Sequence, residues 1–203
     1  MKKFISILGS TGSVGLNTLD IMSKKNKLFK PLIFSANKNY KLISKQITKF
    51  KPRYFVINDQ STFKKISKKF KKKNIKILKN YDDIKFKSAS SITVSAIPGI
   101  AGLEPILKLT KYSDKILIAN KEAIICGWDL IKKEAKKNKT KLIPVDSEHF
   151  SISKLLEFQK LDQIEKIYLT ASGGPFLNYN LKKFKYIKPN QALRHPKWKM
   201  GKK

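Results

Sequence analysis

The chain has 203 residues, 41% of them hydrophobic, enough for one substantial domain or for one domain and part of another, which excludes wholesale disorder. Its 45 Lys+Arg against 14 Asp+Glu give a formal net charge of +31, a field that draws in anions. Cys126 is the single cysteine, which excludes a disulfide framework and a cysteine metal site, and no apolar run reaches membrane-spanning length.

The opening MKKFISIL imitates a signal peptide, but the apolar stretch breaks at Gly9 without a cleavage site, so a cytoplasmic protein is expected. Short β-rich runs follow at 4–8, 31–36, 53–58, 92–97, 115–120, 141–146 and 165–172. Between them lie amphipathic helical patterns near 14–24, 39–50, 60–73, 100–111, 120–137 and 147–158. Nearly continuous apolar strands alternating with helices predict an α/β fold, a doubly wound, mostly parallel Rossmann-like sheet. After Gly173 the pattern dissolves into a basic, aromatic segment ending HPKWKMGKK.

The first strand runs into GSTGSVG, with glycines at Gly9, Gly12 and Gly15. Backbone N–H groups at the start of the next helix, with Ser13 as its cap, would form an anion cradle. The spacing is GxxGxxG rather than GxGxxG, so a plain turn also fits. The second strand ends in Asn37, Lys38 and Asn39, with no acid to bond a ribose 2′-hydroxyl. A cation between two amides suits a 2′-phosphate, and the cofactor expected is NADP(H).

Carboxylates are scarce, yet DSEH places Asp146 and Glu148 directly after KLIPV. In extended chain the two would point the same way at a strand's carboxyl end and offer hard oxygens to Mg²⁺ or Mn²⁺. The same residues equally fit an N-terminal cap and acidic first turn for the helix that follows. ANKEA puts Lys121 between Asn120 and Glu122 at another strand end, where an ammonium could meet a hydroxyl or phosphate. TASGGPF offers Ser172 and adjacent N–H groups to an oxyanion, though a plain turn fits equally, and RHPKWKMGKK joins His195 and Trp198 on a segment that suits either a lid or a disordered basic tail.

The charge leaves a rival from another class, a basic α/β module that binds nucleic acid. Against it, Arg53 and Arg194 are the only arginines, and the lysines are spread over nearly every polar face. A third reading is another NADP-dependent dehydrogenase, which explains GSTGSVG but leaves DSEH without purpose.

Taken in order, ILGSTGSVG with TLD, ANKEA, PVDSEH, SGGPF and HPKWKMGKK resemble the 1-deoxy-D-xylulose 5-phosphate reductoisomerases, from Ile7 to the last residue. The resemblance implies an NADPH- and divalent-metal-dependent enzyme of non-mevalonate isoprenoid synthesis. It would rearrange that sugar phosphate to a branched aldehyde and reduce it to 2-C-methyl-D-erythritol 4-phosphate. It further implies that Thr11, Gly12, Ser13 and Val14 wrap the cofactor phosphates, and that Asn37, Lys38 and Asn39 meet its ribose phosphate. Asn120, Glu122 and Gly201 would contact the cofactor elsewhere. Asp146 and Glu148 would be metal ligands, and Lys121, Ser147, Glu148, Ser172, His195 and Trp198 would hold the substrate. Lys121, Asp146, Glu148 and His195 would carry the chemistry. Asn37 stands where the family usually has glycine. The implied division is a cofactor domain at 1–145 and the first part of a catalytic domain at 146–203. In the family a third metal-binding glutamate and a helical domain follow. The chain is therefore read as an N-terminal fragment that binds NADPH without turning over alone, part of a cytoplasmic homodimer with neither nucleic-acid nor membrane partners.

Overall fold

The computed structural model describes residues 2–85, 90–170 and 174–194, and it divides into two compact units, Met1–Ser151 and Ile152–Lys203. Among the described residues the first unit holds seven strands: β1 (Lys3–Leu8), β2 (Phe29–Ala36), β3 (Tyr54–Ile57), β4 (Lys76–Leu78), β5 (Ile92–Ser95), β6 (Lys115–Ile118) and β7 (Lys141–Pro144). Their order is β4-β3-β2-β1-β5-β6-β7, and every ladder is parallel. Parallel neighbours need crossovers, supplied by α1 (Ser13–Lys24), α2 (Tyr40–Phe50), α3 (Gln60–Phe70), α4 (Leu103–Thr110) and α5 (Lys121–Lys137). The doubly wound α/β class expected from the sequence is the class observed. Among the described residues, no helix is long and apolar enough to cross a membrane.

Alternation along the strands sorts the core onto two faces. Ile5, Ile7, Phe34 and Phe55 meet Leu19 and Met22 of α1, Ile43 and Ile47 of α2, and Ile66 and Phe70 of α3. The other face packs Leu8, Tyr54 and Val56 against Leu109 of α4 and against Tyr81 and Ile84 from the β4–β5 connection. A smaller cluster joins Ile116 and Ile118 to Ile106, Ala123 and Ile131. Ile5 pairs with Pro31 but Ile7 with Phe34, so β2 carries one extra residue against β1. That residue is why neighbouring Leu32 and Ile33 both join the second cluster.

Two expectations need correction. The three-residue strand β4 is absent from the sequence reading, because a short half-buried edge strand carries too few residues for a periodic signal. The strand expected at 165–172 does not form over its described part, 165–170, and residues 171 and 172 lie outside the described residues. A strand needs a neighbour for its N–H and C=O groups, and no other strand is described in Ile152–Lys203. Ile167, Tyr168 and Leu169 there are exposed. The described part of that unit is instead built of short turns, with Phe176, Tyr179 and Phe184 meeting at centroid distances of 5.5–6.1 Å. It also holds the one-turn helix α7 (Pro189–Ala192), and a last helix, α6 (Ser147–Leu155), spans the unit boundary.

Burial pushes the Tyr81 phenol up to about 12. An unfolded tyrosine ionises near 10, so this contribution is intact below that pH and is lost as pH rises through the folded value. Urea unfolding of the chain and of Tyr81→Phe should diverge above pH 10, the native tyrosine losing about 1 kcal/mol more by pH 11. Parallel pH profiles would show that the phenol is not held neutral.

Candidate functional site

The strand order reverses between β1 and β5, and the carboxyl ends at such a switch point form the crevice where open α/β sheets bind ligands. The GSTGSVG turn sits there. Gly9 has φ of +82°, and a Cβ on it would lie 2.7 Å from the Ala96 carbonyl oxygen. A Cβ on Gly15 would lie 2.4 Å from the Gly9 oxygen. Those two glycines are required by the fold itself. Gly12 is different, since its φ of −82° is open to any residue and its nearest neighbour would be 3.4 Å away. The space its missing side chain leaves lies in front of helix α1.

Gly12, rather than the expected Ser13, is the N-cap of α1, and no side chain caps that end. Ser13 is the first helical residue, and Gly12, Ser13 and Val14 are exposed with Thr11 half-buried beside them. The turn is clamped from behind. The Ser10 hydroxyl donates to Gln46 Oε1 at 2.6 Å, and Gln46 Nε2 donates to the Ser10 carbonyl at 2.8 Å. The Gly9 and Ser10 N–H groups donate to the Ser35 carbonyl at 3.1 and 2.8 Å. The result is a rigid turn with an open, uncapped helix end, the arrangement an anion needs.

At the end of β2, Asn37, Lys38 and Asn39 are all exposed. Asn37 is not among the residues with positive φ, so glycine's conformational freedom is not needed there. Asn39 is the N-cap of α2, its Oδ1 accepting from Leu42 N–H at 3.1 Å. Asp59, on the turn after β3, caps α3 through Thr62 N–H at 2.8 Å. That hydrogen bond chiefly, then the Thr62 hydroxyl and Lys38, hold its carboxyl below the usual range. An acid thus stands near Lys38 on the adjacent turn, where sequence order conceals it.

The second group of expected residues gathers at the ends of β6 and β7. Asn120 is buried, and all of its amide is committed. Its Oδ1 accepts from Ala123 N–H at 3.0 Å as the cap of α5, and its Nδ2 donates to the Ile97 carbonyl and, at 2.8 Å, to that of Gly99. Gly102 is glycine for this reason, as a Cβ there would lie 2.2 Å from Asn120 Nδ2. Lys121 donates to Glu148 Oε2 at 2.7 Å, a bond that raises the ammonium above its ordinary pKa and lowers the carboxyl. Glu122 is half-buried.

DSEH is not extended. Asp146 is the N-cap of α6, its carbonyl accepting from Phe150 N–H at 3.0 Å and its Oδ1 from His149 N–H at 3.0 Å. Burial raises the Asp146 carboxyl, but the His149 backbone and ring and the Lys121 charge outweigh it and leave it below the usual range. Ser147 is exposed in the first turn beside Glu148. The helix-cap geometry and two hard-oxygen donors therefore coexist. Lys121, Asp146 and His149 also edge a cleft of about 580 Å³ whose walls include Ile118, Ile124, Trp128, Leu142 and Pro144. Among the described residues no three His, Cys, Asp or Glu side chains come together as a complete metal cage. Asp146 and Glu148 both face Lys121 and are oxygen donors of the kind a divalent cation takes. Ser172, His195, Trp198 and Gly201 lie outside the described residues.

Comparison with known proteins gives consistent matches. The family model "1-deoxy-D-xylulose 5-phosphate reductoisomerase" matches residues 5–127, and that for the C-terminal domain of the same family matches 142–203. The reductoisomerase of Pelagibacter ubique is 48% identical over 100% of this chain and 53% of its own, and that of Clostridium novyi is 45% identical over 99% and 54%. The Zymomonas mobilis reductoisomerase solved with NADPH superposes with a TM-score of 0.86 at 27% identity, over 97% of this chain and 52% of that one. A reductoisomerase complex with NADPH, fosmidomycin and magnesium gives 0.84 at 28%, over 98% and 52%. The chain spans about half the length of these relatives.

The glycine geometry separates fold from binding. Gly15→Ala should cost about 2 kcal/mol or more in urea unfolding, because backbone must move. Gly12→Ala should cost at most about 1 kcal/mol, the ordinary penalty for alanine at an N-cap. Equal losses would mean that Gly12 too serves packing.

Proposed function

Because the chain belongs to the 1-deoxy-D-xylulose 5-phosphate reductoisomerase family, we propose that it carries the NADPH site and the first part of the metal and substrate site of such an enzyme. The product would be 2-C-methyl-D-erythritol 4-phosphate. The observation that carries the reading is the open space at Gly12 before an uncapped helix, at the switch point of a parallel sheet. Residues 1–145 would form the cofactor domain and 146–203 the start of the catalytic one. Such an enzyme would be a cytoplasmic homodimer.

Thr11, Gly12, Ser13 and Val14 would bind the cofactor pyrophosphate through backbone N–H groups. Lys38, with the Asn37 amide, would meet the 2′-phosphate, while Asn39 stays bonded to the Leu42 N–H. Asp59 is an opposing charge near Lys38, and its carboxylate is occupied by Thr62. Glu122 and Gly201 would complete the cofactor contacts. Asn120 would act through the loop it ties down, since its amide is spent on Ile97, Gly99 and Ala123. A bound cation would supply Lewis acidity at the substrate's carbonyl and hydroxyl oxygens, and NADPH the reducing equivalents.

Asp146 and Glu148 would hold that cation as Mg²⁺ or Mn²⁺. Lys121 is kept protonated by Glu148, so it serves as a cation and hydrogen-bond donor to substrate oxygens, not as a base. Ser147, Ser172, His195 and Trp198 would position the rest of the sugar phosphate, and the apolar walls beside Lys121 would keep water from it.

The net charge of +31 favours a second reading, nucleic-acid binding. Fluorescence titration separates the two. The chain should bind NADPH saturably and NADH more weakly, and Lys38→Glu should weaken NADPH by roughly tenfold or more while barely changing NADH. Equal losses for both nucleotides would overturn the 2′-phosphate role. No NADPH binding, with tight and steeply salt-dependent RNA binding, would overturn the enzyme reading.

A further inference from the structure

Asp146 receives more than a helix cap requires. An N-cap carboxylate satisfies the backbone N–H three residues on, and here Oδ1 does so at 3.0 Å from His149 N. The ring of the same histidine then folds back, placing Nδ1 2.8 Å from that same Oδ1. An ionised carboxylate can only accept, so Nδ1 carries the proton. Both bonds fall on one oxygen, and Oδ2 accepts none from the described residues. The Asp146 side chain is only 10% exposed, whereas that of His149 is 63% exposed. The ring is therefore not held there by burial. It shares the rim of the apolar cleft with Asp146 and Lys121.

We infer that His149 is a positioning residue for the cation site: by bonding Asp146 Oδ1 twice it fixes the carboxylate plane and leaves Oδ2 as the single oxygen presented to a divalent cation. This rests on the reading of Asp146 as a metal ligand. Backbone capping alone leaves the carboxylate free to pivot about one hydrogen bond. A second donor on the same oxygen removes that freedom, and a ligand already oriented loses less on binding. Groups that orient metal ligands in this way typically govern ten- to hundredfold of the affinity.

The test is a Mn²⁺ titration of the 203-residue chain, followed by the electron paramagnetic resonance signal of free Mn²⁺ and needing no turnover. His149→Leu and His149→Ala keep the backbone cap but lose the ring donor, and each should weaken Mn²⁺ by about tenfold. His149→Asn places an amide N–H where Nδ1 stood and should retain affinity within about threefold. Because the ring is exposed, all three should melt with the native chain, and the two apolar replacements check one another. Asp146→Asn should abolish the site. Loss in Asp146→Asn with native affinity in His149→Leu would overturn the inference and leave the ligand reading standing. Equal weakening in His149→Leu and His149→Asn would also overturn it, since the ring donor would then not be the cause. Unchanged binding in Asp146→Asn, or no saturable binding by the native chain, would overturn the ligand reading and the inference with it.

Discussion

The Gly9 carbonyl oxygen is the point on which the molecule turns. It lies only 2.4 Å from where a Cβ on Gly15 would be, so the first turn of α1 is pressed onto the bend that precedes it. Gly9 is pressed in turn against the Ala96 carbonyl, which binds the bend to the end of β5. These two contacts fix the direction of α1 against the sheet. They also set its uncapped end over the gap between β1 and β5. The Ser10–Gln46 pair then joins the bend to α2, so three crossover units share one small polar knot. Without it the helix end would still exist, but it would not be aimed.

The site at β6 and β7 is built on a different principle. There the polar side chains are helix caps first. Asn120 caps α5 and Asp146 caps α6, and both caps stand at the carboxyl ends of adjacent parallel strands. A helix that follows each strand needs a cap at that place, so the fold brings capping residues together without any demand from ligand binding. Capping leaves other polar atoms free of the helix ends: the side chains of Lys121 and Glu148 in the first turns of α5 and α6, and the oxygen of Asp146 that the helix does not use.

What the sequence made legible follows from signal length. Long periodic segments such as Tyr40–Phe50 and the buried strands declared the fold class, because many residues vote for one period. The glycine turn and DSEH were legible as candidate sites because residue types cluster there. Relations between distant residues were not. Nothing in the residues around Gln46 announces that its amide reaches Ser10, and nothing around Asp59 announces that it stands near Lys38, since both depend on sheet order. The competition at DSEH between extended chain and capped helix was also undecidable locally, and it was resolved by the helix bond from Phe150 to Asp146. Residues 165–170 misled because β propensity describes a surface looking for a neighbour.

The two ends of the sheet bear on how such a chain stays in solution. An open parallel sheet has unpaired backbone at each border, a template for pairing with another copy. Here both border strands are short, Lys76–Leu78 and Lys141–Pro144. Each begins with a lysine, and β7 ends in a proline that has no N–H to offer. In a chain of net charge +31, each border strand therefore carries a cation at its start, and two copies approaching edge to edge would bring like charges together before any hydrogen bond could form. Colloidal stability of this chain is consequently an electrostatic property, strongest in dilute buffer and eroded as counterions accumulate.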